Sequence, residues 1–140
     1  MCSSDLTHRA QVERAADDAG VADRTTFLGA VDDQTLIDLY AGARGVVFPP
    51  FDEDYGYVTL EAFLSGKPVI TTTDAGGPNE FVIDGVNGRV TDPSPESLGD
   101  AIRFLSADRS RAAALGDAGF ERARSVTWTG VIEALVGRDA

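Results

Sequence analysis

Apolar residues recur along this chain with two alternating periods, one helical and one extended. From Thr7 to Ala19 the spacing predicts a short helix that stops at Gly20, a natural C-terminal cap. Thr25 to Leu28 reads as a strand entering Gly29. Asp32 and Asp33 then offer an N-cap for a helix with Leu36, Leu39, Tyr40 and Ala43 at i, i+3, i+4 and i+7. After Gly45, Val46-Val47-Phe48 is a continuous apolar run halted by Pro49 and Pro50, which suits a strand buried on both faces.

The polar stretch Phe51 to Tyr55 reads as a loop, and Gly56 opens a helix with Leu60, Phe63 and Leu64 on one face, closing at Gly66. Pro68 to Thr73 predicts another buried strand, Asp74 to Pro78 a turn, and Asn79 to Ile83 a helix of one or two turns. Asn87-Gly88 leads into a short strand at Arg89 to Thr91. Ser94 and Pro95 supply a cap and first helical position, ahead of a stripe of Leu98, Ala101, Ile102 and Leu105. Helices from Arg109 to Arg124 and from Trp128 to Val136 complete the pattern. Strands alternating with helices imply an α/β fold, a Rossmann-like parallel sheet flanked by helices.

Composition narrows the function. With 140 residues and 43% hydrophobic content there is material for one core. The net charge of −11 argues against nucleic acid as a partner and against docking on an anionic membrane. A single cysteine and a single histidine leave no disulfide within the chain and no zinc constellation. Residues 1–6, Met-Cys-Ser-Ser-Asp-Leu, resemble translated adapter sequence and are expected to be a non-native leader, which sets Cys2 aside.

In open α/β sheets ligands sit beyond the carboxyl ends of strands, where loops enter helix N-termini. Here Glu53 and Glu61 lie seven residues apart with Gly56 between them. A helix starting near Gly56 places Glu61 roughly 8 Å along its axis, with Glu53 in the loop ahead. The free N–H groups of Gly56, Tyr57 and Val58 then form an anion site, with a carboxylate on either side to accept hydroxyl hydrogens. A nucleotide diphosphate sugar has that layout. The plainer alternative is that acidic residues in a first turn simply complement the helix dipole.

Glu53-Asp54-Tyr55-Gly56-Tyr57-Val58-Thr59-Leu60-Glu61-Ala62, followed by Gly66-Lys67-Pro68-Val69-Ile70, resembles the E-x7-E signature of retaining glycosyltransferases of family 4. Gly76-Gly77-Pro78-Asn79-Glu80, Asp84-Gly85-Val86-Asn87-Gly88 and Phe27-Leu28-Gly29 match further blocks in order. The resemblance implies the C-terminal, donor-binding half of a two-domain GT-B enzyme, spanning 7–140 and incomplete at its N-terminus. It implies Glu53 at the transferred sugar as catalytic residue, Glu61 on the ribose hydroxyls, the main chain of Gly56, Tyr57 and Val58 on the diphosphate, and that of Val31 near the base. Gly76, Gly77 and Glu80 follow as second-tier residues near the donor sugar; permitting the turn is the better account of the two glycines, and support of the short helix explains Glu80 as well as donor contact does.

No metal and no cofactor are implied, since the nucleotide sugar is a substrate. The expected partners are that donor and an N-terminal acceptor domain of a parent chain, in the cytoplasm, and the 140 residues alone are expected to be inactive. The family's Arg and Lys that neutralise the diphosphate belong to elements upstream, while Asp52 and Asp54 add negative charge beside the site. A non-catalytic nucleotide-binding or interaction module of the same fold is the competing expectation. Trp128 is expected in the core, His8 at the surface, and Arg109, Arg111, Arg122 and Arg124 on a solvated face.

Overall fold

A computed structural model describes residues 3–137. The chain divides into two compact units, Met1–Asp33 and Gln34–Ala140. In the first, helix α1 (Ser3–Asp18) ends at Gly20, whose φ of 64° is the left-handed stop that glycine favours. A 3-10 turn follows at Ala22–Arg24. His8 is exposed.

Thr25 to Leu28 forms no strand among the described residues. An extended segment becomes a strand only when a neighbour answers its N–H and C=O groups. Here the contacts come from a side chain instead. Arg9 donates to the Phe27 carbonyl at 3.4 Å and sets its guanidinium 5.8 Å from the Phe27 ring. Leu28 is left half exposed.

The second unit is built on a three-stranded parallel sheet, β1 (Val46–Val47), β2 (Val69–Thr72) and β3 (Gly88–Thr91), in that order. Val46 pairs with Val69, and Val69 in turn with Gly88. Helix α2 (Asp33–Gly42) precedes β1, and α3 (Tyr57–Leu64) crosses from β1 to β2. The one-turn α4 (Pro78–Phe81) crosses from β2 to β3. Helices α5 (Pro95–Ala107), α6 (Arg109–Arg124) and α7 (Trp128–Val136) follow. This is the predicted Rossmann-like arrangement.

Alternation along β2 divides the core in two, because successive strand residues face opposite sides. Val69 packs with Ala62, Phe63, Phe81, Val82 and Ala123. Ile70 packs with Ala101, Leu105, Ala112 and Leu115 on the other side. Helix α6 reaches both clusters. It lies close against α3 because Gly119 has no side chain, and a Cβ there would stand 2.4 Å from the Phe63 ring.

Local chemistry sets the helix starts. The Ser94 hydroxyl accepts from the Ser97 N–H at 3.2 Å ahead of Pro95. The Asp108 carboxylate accepts from the Ser110 and Arg111 amides at 2.9 and 3.1 Å, and these bonds hold its pKa below the ordinary value. The Thr127 hydroxyl accepts from Gly130 at 3.1 Å.

Burial departs from the predicted stripes at one place after another along the open side of the sheet. Val47 is 45% exposed rather than buried on two faces, because β1 is an outer strand with nothing paired beyond it among the described residues. Leu36, Leu39, Leu64 and Ile102 are exposed as well. Helix α2 buries none of its residues fully, though Tyr40, and Ala43 just beyond its end, are half covered. Nor do the arginines of α6 form a simple solvated face. Arg111 lies 4.4 Å from the Phe104 ring, and Arg122 donates to the Glu80 carbonyl. Met1, Cys2 and the side chain of Trp128 fall outside the described residues.

Candidate functional site

At the carboxyl end of β1 the chain turns through Pro49 and Pro50 into residues 51–56, then enters α3. This loop is clamped to the loop that follows β2. Asp52 donates its N–H to the Asp74 carbonyl and Glu53 to that of Ala75, both at 3.0 Å. Gly77 returns a bond to the Glu53 carbonyl at 2.7 Å, so Glu53 bridges to Gly76 as a short strand would. The approach is close enough to require glycine. A Cβ on Gly76, at φ 76°, would sit 2.6 Å from the Glu53 oxygen, and one on Gly77 would sit 2.7 Å from the Asp54 oxygen. Asp52 itself takes a left-handed φ of 49°, a conformation Asp tolerates better than most residues.

Gly56 begins α3 at φ 73° and ψ 55°, and no side chain caps the helix there. Its Cα is buried against Pro78, whose ring would collide with any Cβ at 2.7 Å. Among the described residues the N–H groups of Gly56, Tyr57 and Val58 meet no acceptor, and Thr59 is the first to close a bond, to the Gly56 carbonyl at 2.9 Å. Tyr57 is exposed and tilts over Tyr55 with ring centroids 4.7 Å apart; Tyr55 meets Phe81 edge-on at 5.3 Å. Val58 is half-buried.

The two glutamates differ in how they are held. Glu61 is exposed yet anchored, because the Tyr40 hydroxyl donates to its Oε2 at 3.0 Å. Partial burial and the neighbouring carboxylate push the Tyr40 phenol up to about 12, so it remains a donor throughout neutral pH. Glu53 is exposed, and its carboxylate bonds to no protein group, while its backbone is fixed on both sides. Tyr40 is the residue that sequence reasoning missed. Its place in an apolar stripe disguised a polar hydroxyl aimed at α3.

Around the turn after β2, Asn79 donates to the carbonyls of Thr72 and Thr73 at 3.1 and 3.2 Å and ties α4 to the strand end. One buried oxygen each on Asp74, Asn79 and Thr59 has no partner in the protein. Glu80 is exposed, and its side chain caps nothing. Val31 belongs to the first compact unit and is exposed. Glu53 and Glu61 are both exposed. Two clefts of about 430 and 480 Å³ lie elsewhere on the second unit. Among the described residues no group of three or more His, Cys, Asp or Glu side chains is placed to hold a metal ion. None of their helices is long and apolar enough to cross a membrane.

A parallel sheet flanked by helices, with an uncapped helix start beyond the carboxyl end of its outer strand, defines a Rossmann-like domain. Residues 5–122 match the family described as Glycosyl transferases group 1, and the chain belongs to that family. It is 35% identical over 124 residues to the D-inositol 3-phosphate glycosyltransferase of Mycolicibacterium smegmatis, covering 88% of this chain and 28% of that protein. Among solved structures, sucrose-phosphate synthase from Thermosynechococcus elongatus superimposes with a TM-score of 0.82 at 30% identity, over 93% of this chain and 33% of that one. Anabaena HepE, solved with UDP and glucose, gives 0.81 at 27% identity, over 96% and 36%. The chain thus spans under a third of the length of the curated relatives it matches.

Proposed function

We propose that this chain is the donor-binding part of a retaining glycosyltransferase of family 4, which moves a sugar from a nucleotide diphosphate sugar to an acceptor held by a separate domain. The observation that carries this reading is the uncapped start of α3, with unanswered amides at Gly56, Tyr57 and Val58 and a glutamate on either side in sequence. Such an end favours a diphosphate through both its free donors and the dipole. The solved relative with UDP and glucose supports the same ligand class.

In this reading Glu61, steadied by Tyr40, accepts from ribose hydroxyls. Glu53 faces the transferred sugar, where its charge supports the positive character that builds at the anomeric carbon. The bond from the anomeric carbon to the phosphate oxygen breaks while the acceptor oxygen bonds on the same face. The departing phosphate takes the acceptor's proton. Because the acceptor belongs to another domain, the 140 residues alone bind donor weakly and transfer nothing.

Titration of the 15N-labelled chain with UDP tests the site. Saturable shifts centred on the amides of Gly56 to Thr59 support it. Shifts scattered over the surface, or none at millimolar UDP, contradict it.

A further inference from the structure

From Gln34 onward, the described cations sort into two groups. Arg89, Arg103, Arg111 and Arg124 each pair with a carboxylate. Arg44, Lys67, Arg109 and Arg122 do not, although acidic residues outnumber basic ones 23 to 12 in the chain. Three of those four line a single cleft of about 430 Å³. They arrive from separate elements: Arg44 just ahead of β1, Lys67 just ahead of β2, and Arg109 at the first position of α6. The remaining lining is small, including Ala41, Gly42, Gly66 and Ala112, which leaves the space open.

The cleft lies at the amino ends of β1 and β2, whereas Glu53 and Gly56 follow the carboxyl end of β1. It is therefore a different place from the proposed donor site. Two of its cations are oriented by the backbone. Lys67 Nζ donates to the Ala41 carbonyl at 3.0 Å, and Arg44 donates to the Ser106 carbonyl. Each retains further N–H groups, since an ammonium carries three donors and a guanidinium five. Among the described residues Arg109 forms no ion pair, unlike Arg89, Arg103, Arg111 and Arg124. One carboxylate, Asp117, shares the wall and joins no ion pair among the described residues.

We infer that this cleft is a second ligand site, for a small phosphorylated polyol. Three cations lining one cleft, none paired with a carboxylate among the described residues, suit a phosphate dianion, because charge-assisted bonds to phosphate are the strongest these side chains form. Asp117 would repel a bare phosphate but accepts from a hydroxyl, which selects a ligand carrying both groups. The volume is that of a small-molecule site.

The test is an NMR titration of the 15N-labelled 140-residue chain with inorganic phosphate and, separately, with glucose 6-phosphate. Saturable shifts are expected at Ala41 to Arg44, Gly66, Lys67, Ala112 and Ala113, with the sugar phosphate binding more tightly. Arg109→Gln breaks no ion pair among the described residues, so the fold stays intact, and it should weaken both ligands about fivefold to tenfold. Asp117→Asn should weaken glucose 6-phosphate but strengthen inorganic phosphate, opposite signs that a merely structural role cannot produce. Failure of both ligands to saturate by about 20 mM, shifts confined to Gly56 to Thr59, or unchanged binding in Arg109→Gln would overturn the site. Asp117→Asn strengthening both ligands would overturn the polyol assignment.

Discussion

The Tyr40 hydroxyl donates a 3.0 Å hydrogen bond to Glu61 Oε2, joining α2 to α3 across 21 positions of sequence. The bond fixes a carboxylate that would otherwise sample several rotamers on an exposed helix face. Tyr40→Phe removes the donor and keeps the ring. It should weaken UDP binding about threefold to tenfold while leaving thermal stability nearly unchanged. Phenolate absorbance near 295 nm gives an independent check. Because the phenol is raised to about 12, Tyr40 should titrate above the ordinary tyrosine value, and Glu61→Gln should bring it down. The sign for stability follows. This contribution is complete below pH 10 and is lost as pH rises through about 12, since only the folded state still holds the proton in that interval.

Asp52 and Asp54 flank Glu53 and are exposed beside the unanswered amides of α3. Negative charge there opposes a diphosphate. Asp54→Asn, measured by UDP titration, should tighten binding about twofold to fivefold at low salt, with the gain shrinking at high ionic strength.

How much of this was legible in the sequence depends on how far each element relies on its neighbours. Ser94-Pro95, Arg109 to Arg124 and Trp128 to Val136 were read with correct boundaries because caps and helical period are local. Pro68 to Thr73 was legible because a strand covered on both faces carries its apolar run openly, and Val69 and Ile70 are both buried. Val47 and Thr25 to Leu28 show the limit. Each has the composition of a sheet strand, but pairing and two-sided burial need a partner that no local pattern contains. At the site, Gly56 and the spacing of Glu53 and Glu61 were visible as a motif. The Tyr40 contact was not, because its residues meet only in the folded chain. Gly76 and Gly77 were visible as a turn, but their closeness to Glu53 and Asp54 emerged only from the geometry.

Gly76 holds that closeness. Gly76→Ala forces a Cβ to within 2.6 Å of the Glu53 oxygen at a φ of 76°. The clamp between the two loops should loosen, at a cost of about 1–3 kcal/mol in chemical denaturation. UDP binding should fall with it, because Glu53 and the entry to α3 move together. Gly85→Ala, also at positive φ but in open space, is the control and should cost less and leave binding intact.

Asp108 caps α6 through two backbone amides, which lower its pKa. Its stabilisation is therefore present above the ordinary carboxylate pKa and is lost as pH falls through the lowered one. Thermal melts of Asp108→Ala should lie below those of the native chain at pH 7, and the gap should close as pH falls well below the ordinary carboxylate range.

The most direct measurement is the UDP affinity of the 140-residue chain and of two variants, Glu61→Ala and Glu53→Ala, by NMR titration. If Glu61 holds the ribose as proposed, Glu61→Ala should bind UDP at least tenfold more weakly. Glu53→Ala should stay within about twofold of the native chain, because in the proposed reading Glu53 faces a sugar that UDP lacks. Equal affinity in the native chain and Glu61→Ala would contradict the placement of a nucleotide at the start of α3.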